Sequence, residues 1–86
     1  MSFADPMETA AIERAMWEQH LALAERHIAE GEGTVTHQRR IVADLEREGH
    51  DSAKARALLH QFQQLLDLHV VDRDRIRQQL GLAQQE

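Results

Sequence analysis

Two histidines that each lie three residues before a carboxylate are the groups of this chain best suited to chemistry: His27 with Glu30, and His69 with Asp72. On a helix, that spacing puts both members of a pair on one face. Imidazole suits zinc, copper, nickel or iron, and helical bundles build di-metal centres from inward histidines and carboxylates at this spacing. The order here is His-x-x-acid rather than Glu-x-x-His, and the extra bridging glutamates of such centres are missing. A second reading needs no metal. The four groups would form a buried polar layer in which Arg73 pairs with an acid, His69 hydrogen-bonds a carboxylate, and the layer fixes the register of two helices at some cost in stability. The polar layer is the preferred reading, with no cofactor. The competing one is a divalent transition metal, or a proton-responsive site, at His27, His69, Asp72 and Glu30.

Other chemistry finds little support. Ser2 and Ser52 are the only serines and neither has a plausible base near it, so a nucleophilic enzyme is not expected. Cysteine is absent, which removes disulfides and thiolate metal sites. Gly31-Glu32-Gly33 is too short for a phosphate-cradling loop and follows a helix rather than a strand. His20 shares a face with His27, His37 and His60 read as solvent-facing, and His50 as a turn residue. Net charge is −5, and all of it lies in residues 1–32. A nucleic-acid binder needs a basic stripe, and Arg39-Arg40 is too little to supply one. Met1-Ser2-Phe3-Ala4-Asp5 is acidic and lacks the pattern of a signal peptide. The most apolar stretch, Leu65 to Val71, is broken by Asp67 and His69 and is too short to span a bilayer. A soluble cytoplasmic protein, without membrane or nucleic-acid partners, is the expectation.

The elements that would position the histidines are helices. Ala, Leu, Glu, Gln and Arg dominate, and Pro and Gly are scarce. Asp5 is placed to cap the first helix, with Pro6 at its first position and Glu8 where a capping box wants its acid. A heptad then runs through Trp17, Leu21, Ala24, Ile28, Gly31, Val35, Gln38, Val42 and Leu45. Gly49-His50-Asp51 reads as the turn, with Gly49 as a left-handed stop and Asp51 as the next cap. The chain is therefore expected to be one all-α domain over 1–86: a helix over about 6–48, an antiparallel helix over about 52–80 stopped by Gly81, and a frayed tail over 82–86. Leu82 would fold back onto Ile76. The alternative is a three-helix bundle broken at Gly31-Thr34, where two glycines and β-branched residues weaken the helix. The heptad keeps phase across that segment, which favours a continuous helix.

Folding at Gly49 pairs Leu45 with Ala55, Val42 with Leu58, Val35 with Leu65 and Ala24 with Ile76. The same register sets His27 opposite Asp72 and Glu30 opposite His69. Met16, Leu23, Ile41, Leu68, Val70 and Val71 are left outside this stripe. A contiguous apolar patch of that kind signals an interface. Two hairpins pairing into an antiparallel four-helix bundle is the simplest solution, through Leu23, Phe62, Leu65, Leu68, Val71 and Ile76; a different helical partner would serve the same chemistry.

The stretch from His20 to Leu80, with His20-Leu-x2-Ala-Glu-Arg-His27-Ile-x2-Gly31, Gly49-His50-Asp51 and His69-x3-Arg73, resembles small helical-hairpin proteins of alphaproteobacteria for which no activity is established. The resemblance implies a bacterial, cytoplasmic hairpin and assigns no functional residue. The function expected from the residues is a non-enzymatic interaction or regulatory module acting as a homodimer.

Overall fold

Asp5 begins the first helix with its side chain: Oδ1 accepts from the Met7 N–H at 2.6 Å and the Glu8 N–H at 3.3 Å, while its own backbone is extended. Pro6 follows at a position that needs no amide hydrogen. In the computed structural model, which describes residues 5–84, α1 then runs without interruption over Pro6–Arg47. The segment around Gly31 is helical, so the three-helix alternative does not form. Two local reasons are visible. The Thr34 hydroxyl donates back to the Glu30 carbonyl at 3.0 Å, so it is used within α1 and does not cap a new helix. Gly31 sits against α2, where the absence of a side chain lets Leu66 approach closely.

The turn closes by a paired C-terminal motif. The His50 N–H reaches the Leu45 carbonyl at 2.8 Å, and the Gly49 N–H reaches the Glu46 carbonyl at 3.2 Å. This geometry requires the left-handed conformation that Gly49 adopts at φ +75°. Asp51 Oδ1 accepts from the Ala53 N–H at 2.9 Å, and α2 covers Ala53–Gln84. Arg56 of α2 reaches back over the turn to Glu46.

The second helix passes through Gly81 instead of stopping there. Glycine permits the left-handed stop but does not impose it. At this level α1 still provides a surface, and Leu80 is buried with Ala24 and Ile76 against Trp17 and Leu21. Leu82 lies within α2 and is exposed, so it does not fold back. Of the tail expected to fray, Gln85 and Glu86 lie outside the described residues.

The result is a slender rod, 71 × 21 × 15 Å, with its core along a single seam. Ala24, Ile28, Val35, Val42, Ile76 and Leu80 are the buried apolar residues, and Gln38 is buried among them. Facing positions differ from the expected pairing in the middle of the rod. Leu66 packs against α1 at Gly31, and Leu59 and Leu66 are more buried than Leu58 and Leu65, which the register paired with Val42 and Val35. The inner stripe of α2 thus runs Ala55, Leu59, Phe62, Leu66, His69, Arg73, Ile76, Leu80, in the same four-three alternation as α1.

The two mid-helix glycines should respond unequally to added bulk. Nothing lies within 4 Å of a Cβ built on Gly33, so Gly33→Ala should stabilise the hairpin by about 1 kcal/mol through helix propensity alone. At Gly31 the new Cβ would stand 3.1 Å from Leu66 Cδ1, so Gly31→Ala should gain less, or lose stability as Leu66 is displaced. Urea denaturation of the two variants side by side checks this. Equal gains would mean that the helices are not in close approach at Gly31.

Candidate functional site

Because α1 and α2 alternate in the same heptad and run antiparallel, the hairpin has two broad sides flanking the seam. One side is charged. Arg77 pairs with Glu25 at 3.6 Å, and Arg56 pairs with Glu46, each joining the two helices along this edge. Arg39, Gln63 and Asp67 lie between them around a shallow polar hollow. These exposed pairs contribute little to stability but keep this side solvated.

The opposite side is built differently. Stepping one residue back from the seam brings His20, His27, Thr34 and Ile41 to this edge on α1, and Leu58, Leu65, Asp72 and Gln79 on α2, so its apolar part on α2 is the half toward the turn. Further out on the same side lie Met16, Leu23 and Glu30 of α1 and Leu68 of α2. Leu23 is 48% exposed, Leu65 52% and Leu68 65%. Near the middle is a hollow of about 260 Å³, lined by His27, Glu30, Gly31, Thr34, Phe62, Leu65, Leu66 and His69. Gly31 helps to open it, since no side chain projects there from α1.

The imidazoles of His27 and His69 meet in this hollow, with ring centres 5.2 Å apart and planes inclined at 49°. Both are half-buried. The expected partners are exchanged: His27 faces His69 rather than Asp72. Asp72 is exposed and does not line the hollow. Glu30 lines it from α1. Arg73, expected to bind the layer, instead pairs with its neighbour Asp74 at 3.0 Å. Among the described residues, no group of three or more His, Asp or Glu comes close enough to hold a metal ion within one chain. The four residues read together in the sequence therefore resolve into a histidine pair, one carboxylate beside it and one carboxylate facing water.

The polar residue that sits in the seam is Gln38. Only 5% of it is exposed, and its Nε2 donates across the hairpin to the Ala55 carbonyl at 3.0 Å. Its heptad position in α1 was the sequence signal, but a lone glutamine between Val35 and Val42 does not announce a partner on another helix. Gln38 thus makes a buried side-chain contact between the helices of the kind expected of the histidine layer.

Of the six expected interface residues, Leu23, Leu65 and Leu68 lie on the apolar side, and Phe62 borders the hollow there. Ile76 is withdrawn from any outer surface, being buried against Ala24 and Leu80. Val71 is exposed, but helical spacing puts it on the back of α2, away from α1. No helix among the described residues is long and apolar enough to cross a membrane. No family model matches the chain, and neither a curated protein nor a solved structure matches it.

Proposed function

We propose that the chain is a non-enzymatic helical interaction module whose working form is two hairpins paired on the apolar side, as an antiparallel four-helix bundle. The observation that carries this reading is an area. The chain exposes 6852 Å². A compact monomer of 9.9 kDa would expose about 5,200 Å². The excess is about twice the ~800 Å² that one partner buries in a standard interface. Its source is the rod shape, which leaves both helices covered along one seam only, and pairing along the rod is the geometry that reduces it. The surface offered is unequal: one side carries ion pairs between the helices, the other Leu23, Leu58, Leu65 and Leu68, with Glu30 and Asp72 as its exposed carboxylates. Burial of apolar area drives association, so the second side is the contact. As a module of this kind, the dimer would act through what its outer helical faces hold, in the manner of a regulatory adaptor rather than a catalyst.

Light scattering in chelator at neutral pH should give twice the chain mass. Leu65→Glu combined with Leu68→Glu should give the monomer, because each buries a carboxylate in the proposed contact. Val71→Glu, on the back of α2, should leave the mass unchanged. A double variant that retains the wild-type mass would reject this face. A wild-type monomer would reassign it to a different helical protein.

A further inference from the structure

From the histidine pair we infer a transition-metal site that is half-built in each chain and completed when two hairpins pair. This inference rests on the paired form proposed above. Its first support is a distance. A zinc–imidazole bond of about 2.05 Å places the ring centre about 3.2 Å from the metal, so two imidazoles on one tetrahedral ion have ring centres about 5.2 Å apart. The ring centres of His27 and His69 are 5.2 Å apart. Neither ring is held elsewhere: among the described residues, neither imidazole has a hydrogen-bond or ion-pair partner, nor does the Glu30 carboxylate beside them.

The second support is what the single chain lacks. Two imidazoles supply half of a tetrahedral shell, and no third ligating group joins them within the chain among the described residues. Glu30 lines the same hollow and brings negative charge, which favours a divalent cation without committing a carboxylate to the inner shell.

The third support is position. His27 and His69 lie midway along the apolar side. Met16 is eleven residues before His27, toward the open end of the hairpin, and Leu58 is eleven residues before His69, toward the turn. Each separation is about 16 Å of helix. Two-fold packing of two such faces about their middle sets one histidine pair against the other, so four imidazoles surround one point. The set is all nitrogen, which suits zinc, nickel or copper(II) over magnesium or calcium.

The test uses the whole chain and zinc chloride as probe, in calorimetric titration with mass measured in parallel. The expected result is one zinc per two chains and a melting temperature raised by about 5–10 °C when zinc is well above its dissociation constant. His27→Gln and His69→Gln should each abolish both effects, while His37→Gln and His60→Gln should leave them unchanged. Circular dichroism of the His27 and His69 variants establishes that they remain helical. A wild-type dimer in chelator that binds no zinc overturns this inference and leaves the dimer standing. A chain that is monomeric in chelator and pairs on adding zinc supports the site and overturns pairing by apolar contact alone. One zinc per unpaired chain overturns the shared site. A monomer that ignores zinc overturns both readings together.

Discussion

Gln38→Glu should destabilise the hairpin by about 3 kcal/mol at neutral pH and by almost nothing in acid, because it replaces the seam's one buried amide with an ionisable group of the same shape. Gln38 Nε2 donates to the Ala55 carbonyl. A carboxylate there has no hydrogen to give and sets its charge against a carbonyl oxygen. Burial and that contact both disfavour the ionised form, so the folded-state pKa of the new glutamate lies above its unfolded value of about 4.3. Below that value the acid is protonated in both states. It then donates to Ala55 much as the amide does. As pH rises past about 4.3 the unfolded chain releases its proton while the folded chain retains it, and stability falls until the folded pKa is passed. The difference from wild type therefore opens with rising pH, and urea melts at pH 4 and pH 7 measure it. A Gln38→Glu chain with equal losses at both pH values would place residue 38 in contact with water.

Gln38→Leu separates stability from register. The Ala55 carbonyl lies in the first turn of α2, where its helix supplies another donor, so an apolar residue at position 38 leaves no orphaned group. Stability should then change by less than about 1.5 kcal/mol. What is lost is the one side-chain hydrogen bond between the helices in the seam among the described residues, and with it the penalty on a shifted alignment of α2.

The contrast between Gln38 and the histidines shows which parts of this molecule were legible in its sequence. Asp5, Pro6, Gly49 and Asp51 act through their immediate neighbours, and each does in the structure what its type and position indicate. The heptad was equally readable on α1, where its phase across Gly31 outweighed the poor propensity of Gly31 to Thr36. Register was not readable to the residue. Gly49 locates the turn, but five residues from Glu48 to Ser52 separate the helices, and how they are disposed decides whether Leu65 or Leu66 turns inward against α1. A single-residue difference rotates a side chain by about 100° around the helix, enough to carry Leu65 to the rim, and an offset of three residues along α2 sets His69 instead of Asp72 opposite His27. Gly81 failed for the opposite reason. Its local signal was strong, but α1 continues past it and gives Leu80 a surface to pack on.

Ile76→Ala should be the most damaging apolar truncation, costing about 3 kcal/mol. Ile76 is buried with Ala24 and Leu80, and Trp17 and Leu21 close over them, so the cavity left behind has walls on both helices. No large side chain of the seam is fully enclosed, and a domain of this length holds about 4–13 kcal/mol in total, so one such loss removes a large share. Leu68→Ala, by contrast, deletes a side chain that is 65% exposed in the single hairpin and should cost that hairpin little. In a dimer, unfolding is coupled to dissociation, and the melting temperature rises with protein concentration. The two variants then separate in a way that one hairpin alone does not allow. Ile76→Ala should melt far below wild type at every concentration, with the same concentration dependence, because it weakens the seam and leaves the contact between hairpins intact. Leu68→Ala should melt close to wild type when dilute and fall behind as concentration rises, because only the paired form uses Leu68. Parallel melting curves for Leu68→Ala and wild type across a hundredfold dilution would remove Leu68 from the contact, while a flat dependence for all three would remove the contact itself.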